Sequence, residues 1–505
     1  MNEIEIKGTF EGKQLYCYDP KINCTENDFR KFSSHFNRIE TLRAICSISC
    51  RLFHGNAKPQ FFGNVPLQED ILLDLTYGVI KYCDDKKQKG MNDQEIQLAL
   101  KMCYKRFDSK FTKSHLNNSP EILTKIAYRQ FVFQEASFNN FTRYYYILTE
   151  LWYRLDCTKK IDILSEIKSE IGISYENALL YSYALVGNKE GHFWLYDQAT
   201  IDKINDHTGF NLTVDSHKKF VKWCSGTYSE IIKHKKTLTP FVIHPVIATK
   251  TKPVKNKNDV FMIASPHHVH DKVTCGLYFL LAERFNKGGK NNNFKELFGA
   301  VFQEYVGELL NYYFKTWSVI PEIRYKKGKH QFQDSIDWFV MKDDKLIMIE
   351  VKQSSIYLKS KSDPSIERIK DDLRKTIIPG AKQLEVSEAD IESKQYEELK
   401  RFNRVKNFVK LIVINDPLYN ANSIVKSLMA DEINDLSFQI ININEFEILL
   451  SNQKDVESLF DLLYFKKLDK NEMDFKEFTI SMFPDSRKTV EFLKPIWDSF
   501  FSKLK

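Results

Sequence analysis

The sequence is poor in glycine and proline, the two residues that most often form tight turns. Glycine accounts for 18 and proline for 14 of the 505 residues, against usual shares of about 7% and about 5%. A chain of many strands joined by tight turns needs more of both. The shortage therefore argues against an all-β protein and favours long helices. Because 43% of the residues are hydrophobic, the chain can form sizeable cores, which excludes wholesale disorder.

Three further absences indicate the cellular setting. No apolar run approaches the roughly 20 residues that a membrane-spanning helix needs, so no membrane partner is expected. The segment Met1–Lys7 is acidic where a signal peptide is basic and then apolar. The nine cysteines form no Cys-x-x-Cys pair and all lie at or before Cys275, a pattern typical of neither a disulfide framework nor a zinc ribbon. The sequence thus predicts a reduced, cytoplasmic protein.

Net charge and the search for nucleotide-binding motifs narrow the possible functions only slightly. The chain holds 74 basic and 67 acidic residues, a formal net charge of +7, which permits a nucleic-acid partner without requiring one. It contains no Gly-x-x-x-x-Gly-Lys-Ser/Thr loop that would hold nucleotide phosphates. An ATP-driven motor within this chain is therefore not expected.

The residue pattern divides the chain into four segments: 1–236, 237–290, 291–450 and 451–505. The first has helical periodicity and is assigned to recognition or regulation. The second is predicted as a β-hairpin, with strands at Pro240–Ile243 and Val260–Ile263, followed by a connecting helix. The third alternates helices and strands, with one helix interrupted at Pro379, and the fourth is a helical extension. The predicted class is α+β, with a mixed central sheet flanked by helices in the third segment.

The pattern that indicates chemistry lies in two neighbouring predicted strands, Ser335–Met341 and Leu346–Lys352. Residues two apart in a strand project to the same face, so Glu350 and Lys352 project together. The short turn between the strands brings Asp337 alongside them. Two carboxylates that meet across strands repel each other unless a cation lies between them, and an oxygen-lined site suits Mg²⁺. A lysine beside such a site can orient or deprotonate a water.

The Glu-x-Lys pattern is weak by itself, since it also begins at Glu5, Glu11 and Glu166. Context distinguishes Glu350, because it ends the apolar run Leu346–Ile349, which predicts a core strand. An aspartate also lies on the preceding strand. The alternative interpretation of this pattern is a solvated charge pair at the end of a strand.

The order of a helix, Ser335-Ile336-Asp337, Ile349-Glu350-Val351-Lys352, a second helix and a strand resembles the PD-(D/E)XK nuclease superfamily. Its Mrr-like and RecB-like restriction-endonuclease branches are closest in pattern. The resemblance covers about residues 294–450 and leaves the N-terminal half unassigned. It implies a restriction-endonuclease-like α/β core and hydrolysis of phosphodiester bonds that depends on Mg²⁺ or Mn²⁺. DNA is the favoured substrate, and endonuclease action is favoured over exonuclease action.

The resemblance also implies roles for individual residues. Asp337 and Glu350 would hold the metal with the backbone carbonyl of Val351, and Lys352 would position or activate the water. The second core helix of the family tends to place a polar residue facing the site, and Gln383 fits that place.

The first core helix departs from the family pattern. The family often has a glutamate directly after a bulky apolar residue there, whereas Gln303 follows Phe302. The nearest acids are Glu304 and Glu308, which share a helix face. We expect Glu304 to complete the catalytic and metal-binding set, and Glu308 remains an alternative. A site that uses Gln303 as a neutral partner would bind metal more weakly.

Basic residues flank the two strands and are candidates for binding nucleic acid through its phosphates. The candidates are Arg324, Lys326, Lys327, Lys329, Lys359 and Lys361. Solvated loops and helix faces are the alternative explanation for each of them.

Three functions remain open at this point. The first is a metal-dependent nuclease, the effector of a bacterial anti-phage or restriction-type defence system, controlled by homo-oligomerisation, by a separate partner protein or by its own N-terminal region. The second is a catalytically degenerate nuclease fold that serves as a nucleic-acid-binding or assembly subunit, which Gln303 favours. The third is an interaction scaffold in which residues 294–450 are structural. Metal-dependent cutting distinguishes the first from the other two.

Overall fold

A computed structural model describes most of the chain. The residues it describes are 4–10, 13–18, 24–54, 61–108, 139–158, 161–234, 239–249, 260–286, 293–353, 366–416, 418, 421–453, 455–468, 474–475, 478–479 and 490–502. They are mostly helical and include mixed sheets, which confirms the predicted mixture of helix and strand. Within this part of the chain, none of the helices has the length and apolar character needed to cross a bilayer.

The chain forms two compact units. The first comprises Met1–Tyr145, Asp162–Arg284 and Asp498–Lys505, and the second comprises Tyr146–Ile161 and Phe285–Trp497. The units do not follow the four segments that the sequence indicates. Most of segment 237–290 belongs to the first unit, and most of segment 451–505 belongs to the second.

The first unit is built mainly of helices around an apolar core. The helices that lie wholly or mostly in it are Glu26–Ser33, Arg38–His54, Glu69–Tyr82, Asp93–Asp108, Asn139–Tyr146, Ile163–Ile171, Tyr175–Val186, Gln198–Thr208, Val214–Cys224, Tyr228–Ile232, Thr239–Ile243, Pro266–Val273, Cys275–Asn286 and Lys494–Ser502. Local capping explains where several of them begin. Before the first, the Thr25 hydroxyl accepts from the Asp28 amide, and the Asp28 carboxylate accepts from the Thr25 amide.

Short strands complete the first unit. They are β1 (Ile4–Phe10), β2 (Lys13–Tyr18), β3 (Phe61–Phe62), β4 (Val65–Pro66), β5 (His192–Trp194), β6 (Ser225–Thr227), β7 (Val246–Thr249) and β8 (Val260–Ile263). The last four form one sheet in the order β5-β8-β7-β6. The strand predicted at Pro240–Ile243 is wrong, because these residues lie in the helix Thr239–Ile243. Proline fits the first turn of a helix, where its missing N–H has no partner to lose.

The second unit is organised around a five-stranded mixed sheet in the order β15-β14-β13-β12-β9. Its strands are β9 (Ser318–Pro321), β12 (Trp338–Lys342), β13 (Lys345–Lys352), β14 (Asn407–Ile414) and β15 (Gln439–Asn442). The β9, β12 and β13 strands pair antiparallel, whereas β13, β14 and β15 pair parallel. A separate hairpin, β10 (Arg324–Lys326) and β11 (Phe332–Asp334), lies between β9 and β12 in the chain.

Helices of the second unit accompany this sheet. The α-helices are Trp152–Arg154, Asn293–Tyr313, Ile366–Ser393, Lys426–Met429, Ile443–Asn452 and Val456–Leu468. Single turns of π-helix occur at Ile147–Leu151 and Ala421–Val425, and 3₁₀ turns at Asp156–Thr158, Glu397–Phe402 and Glu491–Leu493. We call Asn293–Tyr313 the first core helix and Ile366–Ser393 the second core helix.

The first core helix packs closely against β12. The indole N–H of Trp338 donates to the backbone carbonyl of Gln303 at 3.1 Å. One turn later, a Cβ on Gly307 would lie 2.1 Å from a ring carbon of Trp338. Only glycine permits this approach. The contact fixes both the distance and the rotation of the helix relative to the sheet.

The second core helix is continuous through Pro379, so the interruption predicted there is wrong. The proline removes one backbone hydrogen bond and crowds the preceding turn. Burial of Ile369, Leu373 and Ile377 along one face stabilises the helix against that loss, at about 25 cal/mol for each Å² of apolar surface removed from water.

Two glycines of the first core helix provide a matched test of the packing against Trp338. We expect Gly307→Ala to lower the free energy of unfolding by about 1–3 kcal/mol, because the added methyl group overpacks the contact. A Cβ on Gly299 meets no atom within 4 Å. Gly299→Ala should therefore raise the free energy of unfolding by up to about 1 kcal/mol through helix propensity. Urea unfolding followed by tryptophan fluorescence measures both, and equal effects would contradict the packing role of Gly307.

Candidate functional site

The register of the β12–β13 hairpin brings two carboxylates together at one end of the sheet. Trp338 pairs with Ile349, so Asp337, one residue earlier, lies beside Glu350. The backbone N–H of Val351 donates to Oδ2 of Asp337 at 2.6 Å. Asp337 therefore binds the end of β13 directly. The strand pattern predicts this pairing, and the structure places the two acids accordingly.

Glu350 is an acid buried in the end of a core strand. Its side chain is 1% exposed, and Oε1 lies 2.5 Å from the Nζ atom of Lys352. Among the described residues, Oε2 has no hydrogen bond of ordinary geometry, although the backbone N–H of Asp337 also interacts with this carboxylate and lowers its pKa. Burial and then the charge of Asp337 raise the pKa of Glu350 to about 8, although Lys352 opposes them. A buried carboxylate with an unsatisfied oxygen is costly in free energy, and it has an oxygen free to bind a cation.

The second core helix holds Lys352 in place. The Lys352 ammonium donates to Oε1 of Gln383 at 2.9 Å. The helix comes close because position 380 is glycine. A Cβ on Gly380 would lie 3.1 Å from Cε of Lys352 and 3.2 Å from Cγ of Glu350. The structure thus joins Gln383, predicted as a supporting residue, to the predicted catalytic lysine.

The candidate acids of the first core helix do not join this cluster. Glu308 makes an ion pair with Arg154 at 2.6 Å and accepts a hydrogen bond from Tyr146, so other partners hold it. Glu304 is half-buried and lies about 60° around the helix from Gly307, the position that contacts the Trp338 ring. Among the described residues, no three His, Cys, Asp or Glu side chains converge as a metal-binding group.

An acid that the sequence reasoning missed, Glu322, lies beside Asp337. It follows β9 and lies between two cross-strand pairs. The first is Pro321 with Trp338, and in the second the backbone N–H of Ser335 donates to the carbonyl of Ile323 at 3.0 Å. Glu322 alone therefore faces two residues, Ile336 and Asp337, which is the geometry of a β-bulge. Partial desolvation and then the charge of Asp337 raise the pKa of Glu322. The available signal was an acid two residues after the short apolar run Val319–Ile320.

The predicted nucleic-acid-binding residues differ in their accessibility. Arg324, Lys326 and Lys329 are exposed. Lys327 instead forms an ion pair with Asp390 of the second core helix at 2.7 Å, so its charge is already partnered. Lys359 and Lys361 lie outside the described residues.

The raised pKa of Glu350 predicts how stability depends on pH. The folded-state pKa of about 8 exceeds the usual glutamate value of about 4.3, so the folded chain holds a proton that the unfolded chain loses. That stabilisation is complete below the unfolded pKa and disappears as the pH rises through the folded pKa. As the pH rises from the usual glutamate range towards the folded-state pKa, the parent should therefore lose stability more steeply than Glu350→Gln does.

Urea unfolding at a series of pH values, in buffer with a metal chelator, measures this difference. Glu304→Gln is the matched glutamate-to-glutamine control, because it removes a half-buried acid of the first core helix. Identical slopes for the parent and Glu350→Gln would show that Glu350 is not the buried titrating group.

Comparison with known proteins adds no relative from which a role could be transferred. No family model, no curated protein and no solved structure matches the chain. The chemistry of Asp337, Glu350, Lys352 and their neighbours is therefore the basis for assigning a function to the chain.

Proposed function

We propose that this protein is a metal-dependent nuclease that hydrolyses phosphodiester bonds of nucleic acid, with DNA as the favoured substrate. The observation that carries the proposal is the buried Glu350 carboxylate, which lies beside Asp337 and has one oxygen without a hydrogen bond of ordinary geometry among the described residues. A lysine held by a neighbouring glutamine lies next to it. The second unit has a helix, the strand pair β12–β13, a second helix and the parallel strand β14 in that order, which is the order on which the resemblance to the PD-(D/E)XK superfamily rests.

The donor set suits a hard cation. Carboxylates of Asp337 and Glu350, with the carbonyl of Val351, would hold Mg²⁺ or Mn²⁺ through oxygen atoms. When bound, the metal would supply positive charge to offset the charge that develops on the attacked phosphate. It would also compensate the two neighbouring carboxylates, which otherwise repel each other.

Lys352 would act on the water that attacks the phosphate. Its ammonium lies between Glu350 and Gln383, so it cannot rotate freely away from the cluster. A group fixed in this way can orient a water by hydrogen bonding and can exchange a proton with it. Gln383 is neutral and accepts one Lys352 N–H, which directs the ammonium without cancelling its charge.

The third carboxylate of the site is better supplied by Glu322 than by the helix acids. Glu308 is already bound by Arg154 and Tyr146, and nothing connects Glu304 with Asp337 in the described structure. The charges of Asp337 and Lys352 both act on Glu322. Glu322 lies beyond the end of β9, opposite the irregular stretch Ile336–Asp337, so its side chain can move towards Asp337 with little change in the sheet.

The biological setting is part of the same proposal. We infer an endonuclease that acts as the effector of a bacterial anti-phage or restriction-type defence system. The first unit, a second copy of the chain or a separate partner protein would then control it. This step is an analogy at the level of the fold.

A degenerate nuclease core that binds nucleic acid without cutting it is the second candidate. Gln303 at the position where the family often has glutamate favours it, as does the pairing of Glu308 with other residues. With fewer carboxylates in place, the site would bind a divalent ion more weakly.

Cutting assays with single variants test the proposed reaction. We expect the parent to cut DNA with Mg²⁺ or Mn²⁺ and to stop when the metal is chelated. Asp337→Ala and Lys352→Ala should each lower the rate at least about 100-fold, because each removes a group that acts in the transition state. Glu308→Gln should still cut.

If both site variants cut like the parent, the site is misassigned. If the parent binds DNA and never cuts, the degenerate core is the correct interpretation.

Metal binding distinguishes Glu322 from Glu304. Calorimetric titration with Mn²⁺ should show weaker binding for Glu322→Gln, by about tenfold, because a carboxylate near the ion is lost. Glu304→Gln should bind Mn²⁺ as the parent does. If Glu304→Gln weakened Mn²⁺ binding and Glu322→Gln did not, the third carboxylate would instead be assigned to Glu304 on the first core helix.

A further inference from the structure

The β10–β11 hairpin extends directly from the carboxylate cluster. We call its residues Arg324–Asp334 the hairpin arm. Glu322 precedes the arm by two residues, and Asp337 follows it by three. Arg324 pairs with Asp334, and Lys326 pairs with Phe332. Both ends of the arm therefore lead into the residues proposed to hold the metal.

One face of the arm is fixed to the second unit. Tyr325 is fully buried, and its hydroxyl donates to the Asp390 carboxylate of the second core helix. Lys327 contacts the same carboxylate at 2.7 Å. The Tyr325 ring packs against Tyr396, with centroids 5.2 Å apart. These contacts hold the arm at a defined position relative to the helix that carries Gln383.

The opposite face presents an aromatic ring together with cations. Because side chains alternate along a strand, Arg324 and Lys326 point away from Tyr325. Phe332, cross-strand from Lys326, is 54% exposed, and the Arg324 guanidinium lies 5.3 Å from its ring centroid. Asp334 forms a loose, exposed ion pair with Arg324 at 3.8 Å, so Lys326 and Lys329 supply most of the uncompensated positive charge of this face. Lys329, in the turn of the arm, is also exposed.

This combination suits a strand of nucleic acid whose bases are not paired. An exposed ring gains stacking energy from a free base face, and nearby cations attract the phosphates on either side. In a duplex the base faces are covered by their neighbours, so only the cations could interact. The charge of the outer face is complementary to a polyanion.

We propose that the outer face of the hairpin arm binds an unpaired nucleotide next to the phosphate that is cut, with its base stacked on Phe332. Arg324 and Lys326 contact the adjoining phosphates. The inference rests on the proposed nuclease function and narrows its substrate to single-stranded segments or to duplex ends and flaps that contain them.

Binding of labelled oligonucleotides by the full chain tests the proposal. Lys352→Ala serves as the background, so that the substrate stays intact, and single-stranded DNA is compared with a blunt duplex of the same sequence. Phe332→Ala should weaken single-strand binding by about 5- to 150-fold, the range measured for loss of one base–aromatic stack. Duplex binding should change by less than about twofold. Phe332→Tyr should restore single-strand binding, because the stacking surface is kept.

Phe465 provides the matched control. It is 55% exposed and lies on the helix Val456–Leu468 of the same unit, so Phe465→Ala removes a comparable exposed ring outside the arm. It should bind both DNAs as the background does. Because Phe332 is exposed, Phe332→Ala should keep the unfolding temperature of the background protein.

Three results would overturn the proposal. One is unchanged single-strand binding by Phe332→Ala, and another is an equal loss for single strand and duplex. The third is unchanged DNA binding together with a shift from dimer to monomer in light scattering, which would make the arm an interface between copies.

If the background protein binds neither the single strand nor the duplex, and the parent cuts neither, the nuclease function itself fails. If the parent cuts and Phe332→Ala binds normally, only the role of the arm fails.

Discussion

Burial of the Glu350 carboxylate is the constraint on which this end of the second unit depends. An acid at the end of a core strand is costly unless its surroundings compensate it. Here Lys352 supplies one opposite charge, Gln383 holds that lysine, and glycine at position 380 lets the helix come within reach. The compensation is incomplete, because Oε2 of Glu350 remains without a hydrogen bond of ordinary geometry among the described residues. An incompletely compensated buried acid is typical of a site that completes itself with a ligand.

The second core helix connects the separate parts of the site. Gln383 binds Lys352, and Asp390, two turns later, binds Tyr325 and Lys327 of the hairpin arm. Between them, Glu388 pairs with the buried Lys410 of β14. The helix is thereby fixed to the sheet, to the lysine and to the arm at the same time. Movement of this helix would change all three, which gives any regulator of the second unit one element on which to act.

The sequence predicted the parts of the site that depend on local periodicity. Alternation along β13 and the short turn before it were enough to bring Asp337, Glu350 and Lys352 together. Glu322 was missed because a bulge, set by pairing across strands, places it there. The partners of Glu308 come from residues about 150 positions earlier, and no pattern within the helix indicates them. Pro240–Ile243 has strand-like composition, but proline in the first turn favours the short helix that forms.

Trp338 restricts what the first core helix can contribute to the proposed metal site. Its indole bonds the Gln303 carbonyl and its ring fills the space above Gly307, so the helix has one permitted rotation. Position 304 lies about 60° around the helix from Gly307, so the contact that fixes the rotation of the helix also fixes the direction in which Glu304 projects. A carboxylate beyond the end of β9 is not restricted in this way, because an irregular strand end can change direction without moving the core.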